Sequence, residues 1–384
     1  MSPYDIFRSM DRRKILVLGI GNAQLDLIKW SKEYGLEVHA CSYSKSGKGE
    51  QYVDYFELID IKDADRVLQY VKANNIDLIY SIGSDVAMPT IAFVAEEQGL
   101  FSFISQKTAN VCQNKAILRE SLGSDFSYNI PFRKGKHLTE LESWDTYPAM
   151  IKPVDSQGQR GIYQVGSFDE VKANFQKSME FSSSHEVIIE KYLEGDEISI
   201  NAYIVNKEIT FFYLSDRISH KEYPGGIIKE HLYPSKYAYM EESLKTLVSK
   251  TVDKLDISNG PVYFQISIYR ETPYIIEVTP RFDGCHIWRL IKMTKGIDLL
   301  EITMSHLLTR HVDPSSFTAV KGTNGQAFIL RFLSQPPLST VDYSDSKPVS
   351  GHLYQEFYYT EGKTVPTMNG FIEKTGYYID FAER

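Results

Sequence analysis

The stretch Tyr274-Ile-Ile-Glu277-Val-Thr279-Pro-Arg281-Phe-Asp283-Gly284 decides how this sequence is read. Its aliphatic residues mark a strand. Residues two apart on a strand share a face, so Glu277, Thr279 and Arg281 point the same way. A carboxylate in so apolar a run is costly unless a cation meets it. Upstream lies Tyr263-Phe-Gln265-Ile-Ser267, and the two segments read as a hairpin that sets Gln265, Glu277 and Thr279 side by side. Oxygen donors around a carboxylate suit Mg²⁺, which keeps octahedral oxygen coordination and bridges phosphates.

Working outward, Val187-Ile-Ile-Glu190-Lys191-Tyr192-Leu193-Glu194-Gly-Asp-Glu197 is an apolar strand that ends in an acid, a short linker and a second acid. Backbone groups of such a linker can pair with an adenine edge, and a carboxylate beyond it can accept from ribose hydroxyls. Earlier still, Lys152 sits inside the strand-like run AMIKPV, where a cation needs an anion to offset its desolvation. The loop that follows, Ser156-Gln157-Gly158-Gln159-Arg160-Gly161-Ile162, can lay backbone N–H groups over phosphates. Lys115 begins the helical stretch that precedes it. Taken alone, each segment also has an ordinary reading: a solvated lysine, a glycine-bearing turn, an edge strand.

Around this region the chain has three parts, expected at 1–105, 106–308 and 309–384. The first alternates apolar runs (KILVLGIG at 14–21, EVHACSY at 37–43, IDLIYSIG at 76–83) with helical spacing near 63–74 and 86–98. That pattern predicts a doubly wound α/β domain. Gly19 and Gly21 stand where a dinucleotide pyrophosphate would lie, but Gln24 replaces the third glycine of that fingerprint, so a nicotinamide-dependent oxidoreductase is a minor alternative. The second part is α+β, with single helices expected over 106–122, 238–255 and 286–308 and a mobile lid over about 125–190. The third, rich in Tyr, Phe, Gly and Pro, is expected to be a β-rich extension with a small core of its own.

Composition narrows the classes. The 384 residues carry 42 Lys and Arg against 50 Asp and Glu, a net charge of −8, which argues against a nucleic-acid binder. Three scattered cysteines supply neither a disulfide framework nor a zinc ligand set. No uninterrupted apolar stretch is long enough for a membrane span, and the N-terminus lacks the apolar core of a signal peptide. A cytoplasmic protein acting on small molecules is expected, with a homodimer open. His220, His231 and His286 show no metal-ligand spacing and read as ordinary hydrogen-bonding residues.

The ordered set of Lys115, Lys152, a small-residue loop, EKYLEGDE, Gln265 and IEVTPRFDG resembles the ATP-grasp superfamily over residues 12–300. The likeness is greatest to the branch with the carbamoyl-phosphate synthetase large-subunit halves, biotin carboxylase and the carboxylate–amine ligases. The resemblance implies ATP and Mg²⁺ as cofactors, with Mn²⁺ as a substitute, and a substrate carboxylate activated as an acylphosphate for attack by an amine. It further implies Lys115 and Lys152 on the phosphates, residues 156–162 closing over them, Glu190, Lys191, Tyr192 and Leu193 at the adenine and Glu197 at the ribose. Gln265, Glu277 and Thr279 would hold the metal, Arg281 with Lys152 would face the reacting groups, and Arg217, Asp283 and Gly284 would touch the other substrate. The family pattern is Glu-x-Asn where this chain has Glu277-Val278-Thr279, which keeps open a weakened nucleotide-binding protein acting through partners; within the ligase class, a carbamoyl-phosphate-synthetase-like fragment is a further alternative, Gln265 resembling that variant.

Overall fold

The computed structural model describes residues 13–156, 160–223, 226–320, 322–323, 325–344, 351–367 and 370–382. Its first layer is the expected parallel sheet. Strands β1 (Lys14–Leu18), β2 (Glu37–Ser42), β3 (Tyr55–Leu58) and β4 (Leu78–Tyr80) lie in the order β3-β2-β1-β4. Helix α1 (Asn22–Glu33) connects β1 to β2, α2 (Ala64–Asn74) connects β3 to β4, and α3 (Met88–Gln98) follows β4. The largely exposed edge strand β3 was not foreseen, because Tyr55-Phe-Glu-Leu lacks the apolar content of its neighbours.

The glycine turn after β1 is structural. Gly19 has φ +98°, and the Gly21 N–H donates to Gln24 Oε1 at 3.1 Å while the Gln24 amide donates to the Ile82 carbonyl. The Gln24 side chain therefore fills the concavity in which a pyrophosphate would rest, and the nicotinamide alternative loses its binding surface.

Two expected helices are each broken in two. Asn114 separates α4 (Gln106–Gln113) from α5 (Lys115–Leu122), and its side chain accepts from the Ala116 and Ile117 N–H groups. Such a cap stabilises a helix start by about 1 kcal/mol, and here it makes Lys115 the first residue of α5. Gly296, at φ +72°, ends α8 (Ile287–Lys295) before α9 (Leu299–Thr309).

A four-stranded antiparallel sheet follows α5, in the order β5 (Phe132–Gly135), β8 (Val187–Lys191), β6 (Ala149–Pro153), β7 (Tyr163–Val165). Helix α6 (Phe168–Met179) covers it, its start capped by Ser167, which accepts from the Glu170 N–H. Leu141, Ile151, Val171, Phe175 and Ile189 form its separate core.

The largest sheet has eight strands. Its order is β13 (Thr272–Thr279), β12 (Asn259–Tyr269), β9 (Asp196–Val205), β10 (Glu208–Ser219), β11 (Ile228–Tyr233), β14 (Ala327–Gln335), β16 (Glu373–Ala382), β15 (Tyr354–Phe357). The C-terminal segment thus extends this sheet rather than forming a module apart: β14 pairs with β11 and β16 with β14, with only a small cluster of Val341, Tyr343 and Val365 beside them.

Alternation along β9 sorts the two faces. Ile198, Ile200 and Ala202 turn toward helix α7 (Glu241–Lys254) and pack with Leu244, Leu247 and Val248. Glu197, Ser199 and Asn201 turn the other way. We expect Leu247→Ala to cost about 2–5 kcal/mol in equilibrium urea unfolding, since Leu247 is fully buried; a loss below about 1 kcal/mol would mean that the face is loosely packed. No helix among the described residues is long and apolar enough to cross a membrane.

Candidate active site

The polar face of the large sheet carries the sequence-predicted residues in register. Gln265 lies opposite Glu277, and Tyr263 opposite Thr279, across β12 and β13. On the next strand Gln265 lies opposite Ser199, and across β9 and β10 Glu197 lies opposite Arg217. A bulge between Gln265 and Ile266 leaves Ile276 as the extra residue on β13 and so re-aims Glu277 relative to the residues before it.

Glu190 joins this face to the smaller sheet. It is 2% exposed, accepts from Arg119 Nε at 2.7 Å and pairs closely with the Lys152 ammonium. Burial alone would push its carboxyl up, but the two cations outweigh that and hold it down at about 2. Arg119 also donates to the carbonyl of Ile276, at 3.0 Å. Lys152, Glu190, Arg119 and the residue preceding Glu277 therefore form one connected chain.

Lys115 lies near both Lys152 and Glu277. Its Nζ donates to the Ser156 carbonyl at 2.8 Å, at the start of the predicted phosphate loop, and its N–H donates to the Val154 carbonyl. Burial lowers the pKa of this lysine; the nearby Lys152 adds to the effect and Glu277 opposes it. Ser156 Oγ is buried with no hydrogen-bond partner among the described residues. Gln157, Gly158 and Gln159 lie outside those residues, whereas Arg160, Gly161 and Ile162 resume the chain, with Gly161 backed against Phe181 and Pro153.

In the linker after β8, the Lys191 and Tyr192 N–H groups are spent on the Pro131 and Pro148 carbonyls, at 3.0 and 2.9 Å. Leu193 N–H makes no backbone bond among the described residues, so of the three it is the donor left for a ligand. The Lys191 ammonium sits over the Tyr269 ring. Glu197 is not an isolated acid: it pairs closely with Arg217 and accepts from Gln265 Nε2 at 2.8 Å. Arg217 also donates to the Gly226 carbonyl, at 3.0 Å, holding one end of the 219–226 loop.

Gln265 thus donates an amide N–H to Glu197, and in the β12–β13 register it lies opposite Glu277. The Glu277 carboxylate makes no hydrogen bond or ion pair among the described residues. Its pKa is raised, by burial first and by Asp85 second, against Lys115 and Arg281. Thr279 Oγ1 is buried and unpartnered. A buried acid with no ion pair among the described residues, an amide and a buried hydroxyl on adjacent strands are a donor set suited to a hard cation.

Arg281 is more constrained than expected. Both its Nε and its terminal nitrogen meet Asp85, from the loop after β4, so this cation is already neutralised. The following loop rests on the first domain. Gly83 has φ +66°, and a Cβ there would come within 2.9 Å of the Ala23 Cβ and 3.0 Å of the Gly284 Cα. Arg119 and Asp85 went unread in the sequence. Arg119 is one turn after Lys115, and so on the same face of the helix, and Asp85 follows the C-terminal end of a parallel strand, where doubly wound sheets bind ligands.

Of the histidines, His286 does hydrogen-bond as expected, to the Tyr358 hydroxyl at 2.7 Å. His231 also hydrogen-bonds, through Nδ1 to Ser215 Oγ at 3.5 Å, while its Nε2 has no hydrogen-bond partner among the described residues and lies 3.8 Å from the buried carboxylate of Asp283.

Comparison with known proteins accords with this geometry, because residues 112–285 match the model of the ATP-grasp domain. The chain carries an ATP-grasp domain. The formate-dependent phosphoribosylglycinamide formyltransferase of Acinetobacter baumannii is 24% identical over 282 residues, 70% of this chain and 69% of that protein. The phosphoribosylamine–glycine ligase of Clostridium acetobutylicum is 24% identical over 326 residues, 77% of this chain and 76% of its own length. Among solved structures, the L-amino acid ligase of Bacillus licheniformis superposes with a TM-score of 0.77 at 16% identity, over 97% of this chain and 94% of that one. The ATP-grasp match contains every sequence-predicted site residue, from Lys115 to Gly284.

Proposed function

We propose that this chain is an ATP-dependent ligase that converts a small carboxylate into an acylphosphate and passes the acyl group to an amine. The observation that carries the reading is the connected chain Lys152–Glu190–Arg119–Ile276, which ties the phosphate side of the cleft to Glu277. Its two similar ligase-type relatives, the formyltransferase and the glycine ligase, support the class of chemistry. Cytoplasmic placement belongs to the same reading.

The residues fit both cofactors. Among the described residues Ser156 Oγ and Thr279 Oγ1 are buried without hydrogen-bond partners, and the Glu277 carboxylate makes no ion pair. Glu277, the Gln265 oxygen and Thr279 would hold Mg²⁺, which when bound supplies positive charge against the triphosphate. Lys115 and Lys152 would take the phosphate oxygens, with Leu193 at the adenine and Glu197 at the ribose.

The difficulty of the reaction is bringing two anions together. A substrate carboxylate oxygen attacks the γ-phosphorus, the β–γ bridging bond breaks, and ADP leaves; the amine then attacks the acyl carbon and inorganic phosphate departs. Lys115 and Lys152 offset the repulsion between carboxylate and triphosphate and the charge that spreads over the transferring group. Water must be kept from the acylphosphate, which it would otherwise hydrolyse. Arg281, held by Asp85, orients the loop that carries Asp283 and Gly284 toward the second substrate.

ADP release by the purified chain with Mg·ATP, across a panel of small acids and amines, tests this reading. Release that depends on both an acid and an amine is expected. No ADP under any pairing, together with no nucleotide binding by calorimetry, would remove it. Nucleotide binding without turnover is the second reading, favoured only by Thr279 in place of an amide, and acceptor-dependent ADP release refutes it.

A further inference from the structure

His231, on β11, lies in register with Arg217 on one side and Leu330 on the other, so its imidazole projects from the polar face of the large sheet. The loop after β13 folds over that face and brings Asp283 and Cys285 to it. Asp283 uses Oδ1 to accept the Cys285 N–H, at 2.9 Å, which leaves Oδ2 as its open side. His231 Nε2 and Asp283 Oδ2 are both buried, both without a hydrogen-bond partner among the described residues, and 3.8 Å apart. That separation is too long for a hydrogen bond. The sulfur of Cys285 completes the group, with all three ligand atoms within 4.8 Å of one another.

We propose that His231, Asp283 and Cys285 form a binding site for a borderline-soft divalent cation of the Zn²⁺ class. Tetrahedral zinc with nitrogen, oxygen and sulfur ligands sets those atoms about 3.3–3.6 Å apart, so about an ångström of closure brings the group to coordination distance. Imidazole and thiolate select Zn²⁺ over Mg²⁺, which distinguishes this site from the oxygen donors around Glu277. The charges also balance. Carboxylate and thiolate together match a dication, while Arg217 and Arg281 already spend their charge on Glu197 and Asp85. Lys374, on β16, places its Nζ 3.6 Å from the Cys285 sulfur; burial pushes the thiol pKa up in the metal-free protein and Lys374 opposes it, so the thiolate is the form that a bound cation would draw out. On the other side of the imidazole, Nδ1 is 3.5 Å from Ser215 Oγ, a partner that fixes the ring with Nε2 toward the cluster. Three protein ligands leave a fourth position for water or an anion.

Cobalt titration of the chelator-stripped full-length protein tests the site directly. About one equivalent of Co²⁺ should bind with a sulfur-to-cobalt charge-transfer band, and Zn²⁺ should displace it. Cys285→Ser should abolish the band, and His231→Ala should weaken Co²⁺ binding by more than the roughly 10–100-fold that outer partners are worth. ADP binding by Cys285→Ser, measured by calorimetry, should match the parent and so show a folded protein. No charge-transfer band in the parent, or a band that survives in both variants, overturns the site. A cobalt band in a protein that fails to bind ADP leaves the site standing and removes only the ligase reading.

Discussion

Replacing Glu190 with glutamine is expected to cost about 3–5 kcal/mol of stability, although the amide has nearly the same shape. The reason is what it leaves behind: Lys152 and Arg119, 8% and 1% exposed, facing a neutral group. The effect of the two cations on the carboxyl is of the same size. The Glu190 carboxyl is held at about 2 against an ordinary 4.5, a difference equivalent to about 3 kcal/mol. Because the folded-state pKa is depressed, the folded protein binds fewer protons than the unfolded chain between those values. The stabilisation is therefore complete above about pH 4.5 and is lost as the pH falls toward 2. Urea unfolding of parent and Glu190→Gln should show a wide gap at pH 7 that narrows below about pH 4.5. Equal stability at pH 7 would mean that the two cations are compensated elsewhere, and the link between the two halves of the cleft would fail with it.

That link illustrates what one chain of letters makes legible. The parallel sheet, the hairpin bearing Gln265 and Glu277, and the lysine inside AMIKPV follow from periodicity and from the cost of burying charge, both of which are local. Arg119 and Asp85 are different. Each matters because of a partner far away in sequence, Glu190 for one and Arg281 for the other, and no spacing rule encodes such pairs. The same holds for His231, whose relation to Asp283 and Cys285 exists only once β11 is placed in the sheet and the loop after β13 folds onto it. Helix breaks at Asn114 and Gly296 were readable in principle, since asparagine caps and glycine ends helices. The apolar spacing that runs across both positions concealed them. The C-terminal strands were legible as a β-rich extension with a small core, but alternation marks a strand and not the sheet that it joins.

Glu277→Gln should separate catalysis from folding most sharply. The substitution keeps an oxygen donor and the side-chain shape while removing the charge opposite Gln265. In the ligase reading, the rate of ADP release should fall by about 10²–10³-fold, the scale of losing one preorganised electrostatic contact in a transition state. Stability should move the other way. Burial and Asp85 raise the Glu277 pKa in the metal-free protein, so the ionised carboxylate opposes folding, and stability falls as the pH rises through the ordinary glutamate range toward that raised value. The substituted amide has no charge to desolvate, so the metal-free variant should melt at a higher temperature than the parent at pH 7. Adding Mg·ATP should stabilise the parent by more than the variant, because a ligand that binds only the folded state shifts the melting point according to its affinity. A variant that loses both stability and turnover would make Glu277 an ordinary structural acid. Loss of turnover with a gain in stability is the signature of a carboxylate kept for a cation, since a fold left to itself would not retain an unpaired acid between Asp85 and an apolar strand.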